Sequence, residues 1–316
     1  MNRFTRIILI GSLALSVNSA FGDPVGYSVN SDEVNGDRLY QIDLDTGVSV
    51  DRGLVQSAAT TFTDVEGLAF DANGVLWGLD DQSLSLFPIS TGNGTVDLTM
   101  VEPIQGLQSL SGNDFGMTFS CTGELYVSSV ADQALYLMTT DGTATLIGNL
   151  NANISALAAY GNPTRLYGLG NGLLGDSGAA DNRSLYEINT ATGATSLIGV
   201  IGTEASAYYE AGLSFDDEGR LWAITDRNGQ GQSFPSEILE LDLENNGQAR
   251  FQAQTQQTGM ESLAVAPPSG CVTAPPPTGP PNDGNVTGIP SLDAYGKVAT
   301  ILILLMTGFL GLRSRP

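Results

Sequence analysis

Four carboxylates in this chain stand at similar places. Glu66 in "DVEGLAFD", Asp114 in "GNDFGMTF", Glu210 in "YYEAGLSF" and Glu261 in "GMESLAVA" each introduce a short run in which apolar residues alternate with small or polar ones. Carboxylate oxygens drawn from separate loops suit Ca2+, a hard cation that takes about six to eight oxygen ligands in flexible geometry. A cation held there would act as a Lewis acid or activate water in a lactonase- or phosphatase-like hydrolase, or would simply brace a binding surface. Only Glu66 and Glu261 share a register relative to the run that follows, and two carboxylates do not make a site. The plain alternative is four solvated acids on a very acidic protein.

Other chemistry is excluded by what is missing. The sequence has no histidine, and its one lysine is Lys297, so a Ser-His-Asp triad, a His-ligated zinc, a Cys-His pair and a Schiff-base lysine in the body all lack a necessary group. The chain carries 34 acids and 12 bases in 316 residues, a formal charge of -22. Five of those bases (Arg3, Arg6, Lys297, Arg313 and Arg315) sit in the terminal segments, which leaves seven arginines in the body. Such a surface repels phosphate backbones and attracts cations, so no nucleic-acid partner is expected.

The elements that must position the carboxylates are repeated. "GLAFDANGVLWGLD" from Gly67, "GMTFSCTGELYVSS" from Gly116, "GLSFDDEGRLWAIT" from Gly212 and the weaker "ALAAYGNPTRLYGLG" from Ala156 align, and "SLAVAPPSG" from Ser262 is a truncated further copy. Each full copy is an alternating run, a polar turn and a second alternating run carrying Trp77, Tyr126, Trp222 or Tyr167, the pattern of a β-hairpin. "DANG", "DDEG" and "DLDTG" resemble fragments of calcium loops, but they lack the spacing of an EF-hand and are good turn chemistry. Stretches such as "ALYLMTTDGTATLIG" and "EILELDLENNGQARF" supply two more strands per unit.

Units of four strands at such spacing predict an all-β chain folded as a single β-propeller. The N-terminal part holds the later strands of a unit without its opening strand, and "SLAVA" is an opening strand with nothing after it. Pairing them closes the ring and gives five blades, with a sixth left open by the insertion "GNGLLGDSGAADN". Opening strands line a propeller channel, so Glu66, Asp114, Glu210 and Glu261 are expected near one mouth of it. "VEGLAFD" is similar to the Glu-Gly segment of gluconolactonase-like and phytase-like propellers, and that resemblance implies a channel metal facing Glu66.

Two other groups of residues follow from this register. Cys121 and Cys271 fall on one face near the channel, and they pair only if their Cα atoms come within about 7 Å. Otherwise they are two unpaired thiols. Tyr208, Tyr209 and Phe234 fall in loops, where exposed aromatics would stack on sugar rings or on a partner's side chains. The insertion from Gly170 to Arg183 and the loop from Asp226 to Glu237 join equivalent strands and are expected on one face.

The ends of the chain carry an address. Residues 1–22 have Arg3 and Arg6, an apolar run from Ile7 to Val17 and small residues up to Gly22, the pattern of a secretory signal peptide. The propeller is expected over 23–266 and a Pro/Gly-rich spacer over 267–288. In 289–316, Ile289-Pro290-Ser291-Leu292 and Tyr295-Gly296 lead into an apolar run, Val298 to Leu312, long enough to span a bilayer when counted from Ala294, and then Arg313 and Arg315.

This tail resembles the IPTL-type sorting signals of Gram-negative bacteria, relatives of the PEP-type (PEP-CTERM-like) signals, with Ser291 in place of threonine and Tyr295 in place of tryptophan. The resemblance implies a transmembrane helix held in the inner membrane, an exosortase-like membrane protease as partner, and delivery to the envelope or outer surface. A plain C-terminal anchor is the alternative. The function expected from the whole sequence is a displayed, non-catalytic binding module for a protein or glycan, and the alternative is the Ca2+-dependent hydrolase.

Overall fold

The structure, a computed structural model, describes residues 24–31, 36–108, 114–174, 179–227 and 233–271. Residues 1–23 and those beyond 271, which hold the expected signal peptide, most of the spacer and the whole sorting tail, lie outside the described residues. Among the described residues no helix is long and apolar enough to cross a membrane, and the apolar run Val298 to Leu312 is not among them.

The chain forms five antiparallel blades. Blade I contains β1 (Val25–Asn30), β2 (Arg38–Asp43) and β3 (Ser49–Leu54). Blade II is β4 (Val65–Phe70), β5 (Leu76–Asp80), β6 (Ser85–Ile89) and β7 (Glu102–Pro103), and blade III is β8 (Phe115–Phe119), β9 (Leu125–Ser129), β10 (Ala134–Met138) and β11 (Ala144–Asn149). Blade IV starts with β12 (Ile154–Tyr160) and β13 (Arg165–Gly170). It is interrupted by a small hairpin, β14 (Gly172–Leu174) with β15 (Ala179–Asn182), and ends with β16 (Ser184–Ile188) and β17 (Thr195–Val200). Blade V is β18 (Glu210–Phe215), β19 (Leu221–Asp226), β20 (Glu237–Asp242) and β21 (Gln248–Gln254). The insertion that left a sixth blade open is the β14–β15 hairpin.

Ring closure joins the chain ends. Residues 260–264 bridge to β1 through Tyr27 with Ala264 and Asn30 with Met260, and the Tyr27 and Ala264 amides donate to each other's carbonyls at 2.7 and 2.9 Å. This segment is the inner strand that blade I lacks, so no inner edge is left unpaired there. The chain then passes the far end of the channel. The Gly161 amide donates to the Ser269 carbonyl at 2.9 Å, and Cys121 and Cys271 are disulfide-bonded with Cα atoms 5.4 Å apart. The compact unit therefore extends past 266. Composition suggested a spacer from 267, but proline stops a strand without preventing residues 267–271 from packing against blades III and IV.

Why these hairpins form is visible in their turns. Asp71 Oδ1 accepts from the amides of Asn73 and Val75 at 2.8 and 2.9 Å, and Asp216 Oδ1 accepts from those of Glu218 and Arg220 at 3.0 and 2.8 Å. The other oxygen of Asp216 takes the indole N–H of buried Trp222 at 2.9 Å. Each aspartate satisfies the backbone of its own turn, which is why "DANG" and "DDEG" are turns and not calcium loops.

Candidate functional site

The inner strands β4, β8, β12 and β18 begin at one mouth of the channel and run to the other. Their partners return antiparallel, so the ends of β5 and β19 and the loops that follow them lie at the mouth where the inner strands start. The carboxylates predicted from sequence gather there.

Two groups of ligand-type oxygens form. One is Glu66, Asp114 and Glu210, and the other is Asp64, Glu66 and Asp81; within each, the atoms lie within 4.8 Å of one another. Glu261 joins through a side-chain hydrogen bond with Glu210. Glu66 and Glu261 are buried, and Asp114 and Glu210 are half-buried. Among the described residues no arginine forms an ion pair with any of the six.

Glu66 is positioned by a β-bulge. The pairing of β4 with β5 shifts between Val65 and Gly67, which inserts Glu66 as an extra residue and turns it toward the channel. Asp37 Oδ2 fixes the start of the strand by accepting from the Val65 amide at 2.6 Å, and Glu66 Oε2 accepts from the Phe115 amide of the next blade at 2.8 Å. The same shift occurs in β12 between Ile154 and Ala156, at Ser155. The Ser155 hydroxyl has no hydrogen-bond partner and is buried. It lines, with Glu66 and Glu261, a cavity of about 10 Å3 beneath the carboxylates. That is room for about one water or one ion.

Unpaired burial of so many acids disfavours their charged forms. Burial, and then the charge of Glu210, pushes Glu66 well above the usual carboxylate range. Burial and Glu210 do the same to Glu261. Glu210 is pushed up to about 8 by burial and Asp114, and Asp114 to about 6 by burial and Asp64. Asp81 reaches about 9 through burial and its hydrogen bond with Asp64. Glu210 and Asp81 therefore hold protons near neutral pH unless a cation replaces them.

Sequence reasoning missed Asp64 and Asp81. Asp64 precedes Glu66 by two residues, and Asp81 follows the strand that pairs with β4, so hairpin geometry was the available signal. The aromatic expectation needs correction. Tyr208 is fully buried and its hydroxyl donates to the Gly170 carbonyl at 2.9 Å, because the β14 strand lies over it: the Leu173 amide donates to the Tyr208 carbonyl at 2.8 Å. Tyr209 is half-buried, its amide donating to the Asp226 carbonyl at 2.9 Å. Phe234 is 44% exposed, with the Arg227 guanidinium 5.1 Å from its ring centre. A cleft of about 410 Å3 opens on the opposite face between blades IV and V, where Arg165 and Arg250 are tied to Glu187 and Asp242.

No family model matches the chain, and no curated protein matches it. Among solved structures, selenomethionine-substituted virginiamycin B lyase from Staphylococcus aureus is similar at 14% identity and a TM-score of 0.41, over 73% of this chain and 70% of that one. A chain of a nidogen/laminin complex is similar at 11% identity and a TM-score of 0.45, over 77% of this chain and 98% of that one. The propeller fold rests on this chain's own five blades.

Proposed function

We propose that the protein is an exported, non-catalytic binding module, a β-propeller that holds Ca2+ at one channel mouth and presents the loops of that face to a protein or glycan. The observation that carries this reading is the convergence of Glu66, Asp114 and Glu210 from three blades, with Glu261 beside them and, among the described residues, no arginine ion-paired to them. An all-carboxylate donor set suits a hard cation, and the cation would brace the mouth. Phe234, exposed beside Arg227 on the same face, is the contact residue of this reading. The signal-like N-terminus supports export, as does the disulfide, a bond that persists in oxidising compartments. The tail, with Ile289, Pro290, Ser291, Leu292, Tyr295 and Gly296 before its apolar run, supports a passage through the inner membrane to the outer surface by way of an exosortase-like protease.

The test is thermal unfolding of the purified full-length protein in EDTA and then in millimolar Ca2+, beside a Glu66→Gln/Glu261→Gln variant. A ligand at about a hundred times its Kd stabilises the folded state by about 2.7 kcal/mol, which for a domain of this size raises Tm by about 5–10 °C. The variant should lose that rise. No shift, or an equal one in both proteins, would refute the reading.

One observation favours a hydrolase as second reading. Asp114 at about 6 and Glu210 at about 8 lie where a group can exchange protons at neutral pH. Against it, the body lacks histidine and lysine. Lactone or phosphate-ester turnover that Glu210→Gln abolishes would establish the hydrolase.

A further inference from the structure

We propose that the channel mouth holds two divalent cations bridged by Glu66, with Asp114 and Glu210 completing one site and Asp64 and Asp81 the other. The proposal rests on the cation-binding reading above and goes beyond it in number, ligands and arrangement. The five carboxylates fall into two trios that meet at Glu66. A carboxylate has two oxygens with several lone pairs, so Glu66 can accept from the Phe115 amide through Oε2 and still serve a cation on either side.

A buried oxygen without a partner points to a ligand independently of the acids that make up the trios. The Ser155 hydroxyl is 5% exposed and unpartnered, and it lines the same cavity as Glu66, the residue the two trios share, and Glu261. Buried polar atoms are nearly always satisfied, so this orphan marks a place where a ligand belongs. It would complete an ion's coordination, directly or through a water.

Charge argues for two ions over one. The six clustered carboxylates carry a formal charge of about -6 when ionised, and a single divalent ion leaves most of it unbalanced in a partly buried site. Two ions leave about -2, which is within reach of the surrounding amides and solvent.

The test counts ions in purified full-length protein stripped of metal and dialysed against Ca2+ or against Mn2+ as a paramagnetic probe. Two equivalents per chain are expected, with an electron paramagnetic resonance spectrum showing two exchange-coupled Mn2+ ions. Asp64→Asn/Asp81→Asn should bind one equivalent and give an uncoupled spectrum, and Asp114→Asn should do the same through loss of the other site. The coupled spectrum of the unsubstituted protein needs no variant, so it decides the matter even if a substitution impairs folding. One equivalent in the unsubstituted protein would overturn the second site and leave the Ca2+ reading standing. None would overturn both, and two uncoupled ions insensitive to Asp64→Asn/Asp81→Asn would overturn the bridge.

Discussion

At the scale of single residues, the protonation of the acid mouth sets the stability of the metal-free protein. Asp114, Glu210 and Asp81 have folded-state pKa values of about 6, 8 and 9, all above those of free carboxylates. Between the unfolded and folded values the native state binds more protons, so stability falls as pH rises. The metal-free protein should therefore melt higher at pH 5 than at pH 8.5, with the loss spread over the range from about 4 to 9. Saturating Ca2+ should narrow that difference; a Tm that climbs steadily toward pH 8.5 without metal would contradict the assignment. Glu66→Gln replaces a buried ionisable group by a neutral isostere and retains an oxygen for the Phe115 amide, so in EDTA at pH 8 its Tm should equal or exceed that of the unsubstituted protein. Glu66, Asp114, Glu210 and Glu261 were legible in the sequence because each introduces an inner strand. Asp64 and Asp81 were not, because their proximity depends on how β5 returns to the start of β4.

At the scale of elements, the glycine that opens three of the repeats has a packing reason. A Cβ on Gly212 would lie 2.2 Å from the Leu263 amide nitrogen and 2.3 Å from the Ser262 carbonyl carbon, so β18 and the closing segment approach as closely as they do only without a side chain. Gly212→Ala should cost about 3 kcal/mol through overpacking, read as a lower urea midpoint at unchanged slope. Gly74 is a contrasting case: it sits in a turn with φ +77°, and no atom lies within 4 Å of the place a Cβ would take, so Gly74→Ala should cost only about 1 kcal/mol, through backbone strain. Alternation and turn residues made the hairpins readable. The bulges at Glu66 and Ser155 were not, because the repeat alignment starts one residue after each, and the three-residue step from Val65 to Leu68 and from Ile154 to Leu157 on one face shows only once the strands are paired.

At the scale of the whole molecule, the ring is shut by the pairing of residues 260–264 with β1 and by the disulfide, which spans a sequence separation of 150. A cross-link over so long a loop removes denatured-state entropy worth about 5 kcal/mol in the chain-entropy account. Cys121→Ser/Cys271→Ser, or reduction, should lower the denaturant midpoint accordingly, and proteolysis should then reach the segment near Ser269 first. An unchanged midpoint would mean that strand pairing alone holds the seam. Closure was legible because two incomplete units complement each other. The covalent pairing was not, since spacing alone does not say whether Cys271 crosses from blade I to blade III.

The sequence by itself determined the repeating hairpins, the turn chemistry and which acids stand at the heads of inner strands, because these depend on local periodicity and on residues close in the chain. Only the tertiary structure decided that the insertion is a hairpin and not a sixth blade, that Asp64 and Asp81 join the acids, that Ser155 carries an unsatisfied oxygen, that Tyr208 is covered by the β14 strand, and that Cys121 meets Cys271. Each of those depends on distances between segments far apart in sequence, and such distances are set by strand register, bulges and the closing of the ring.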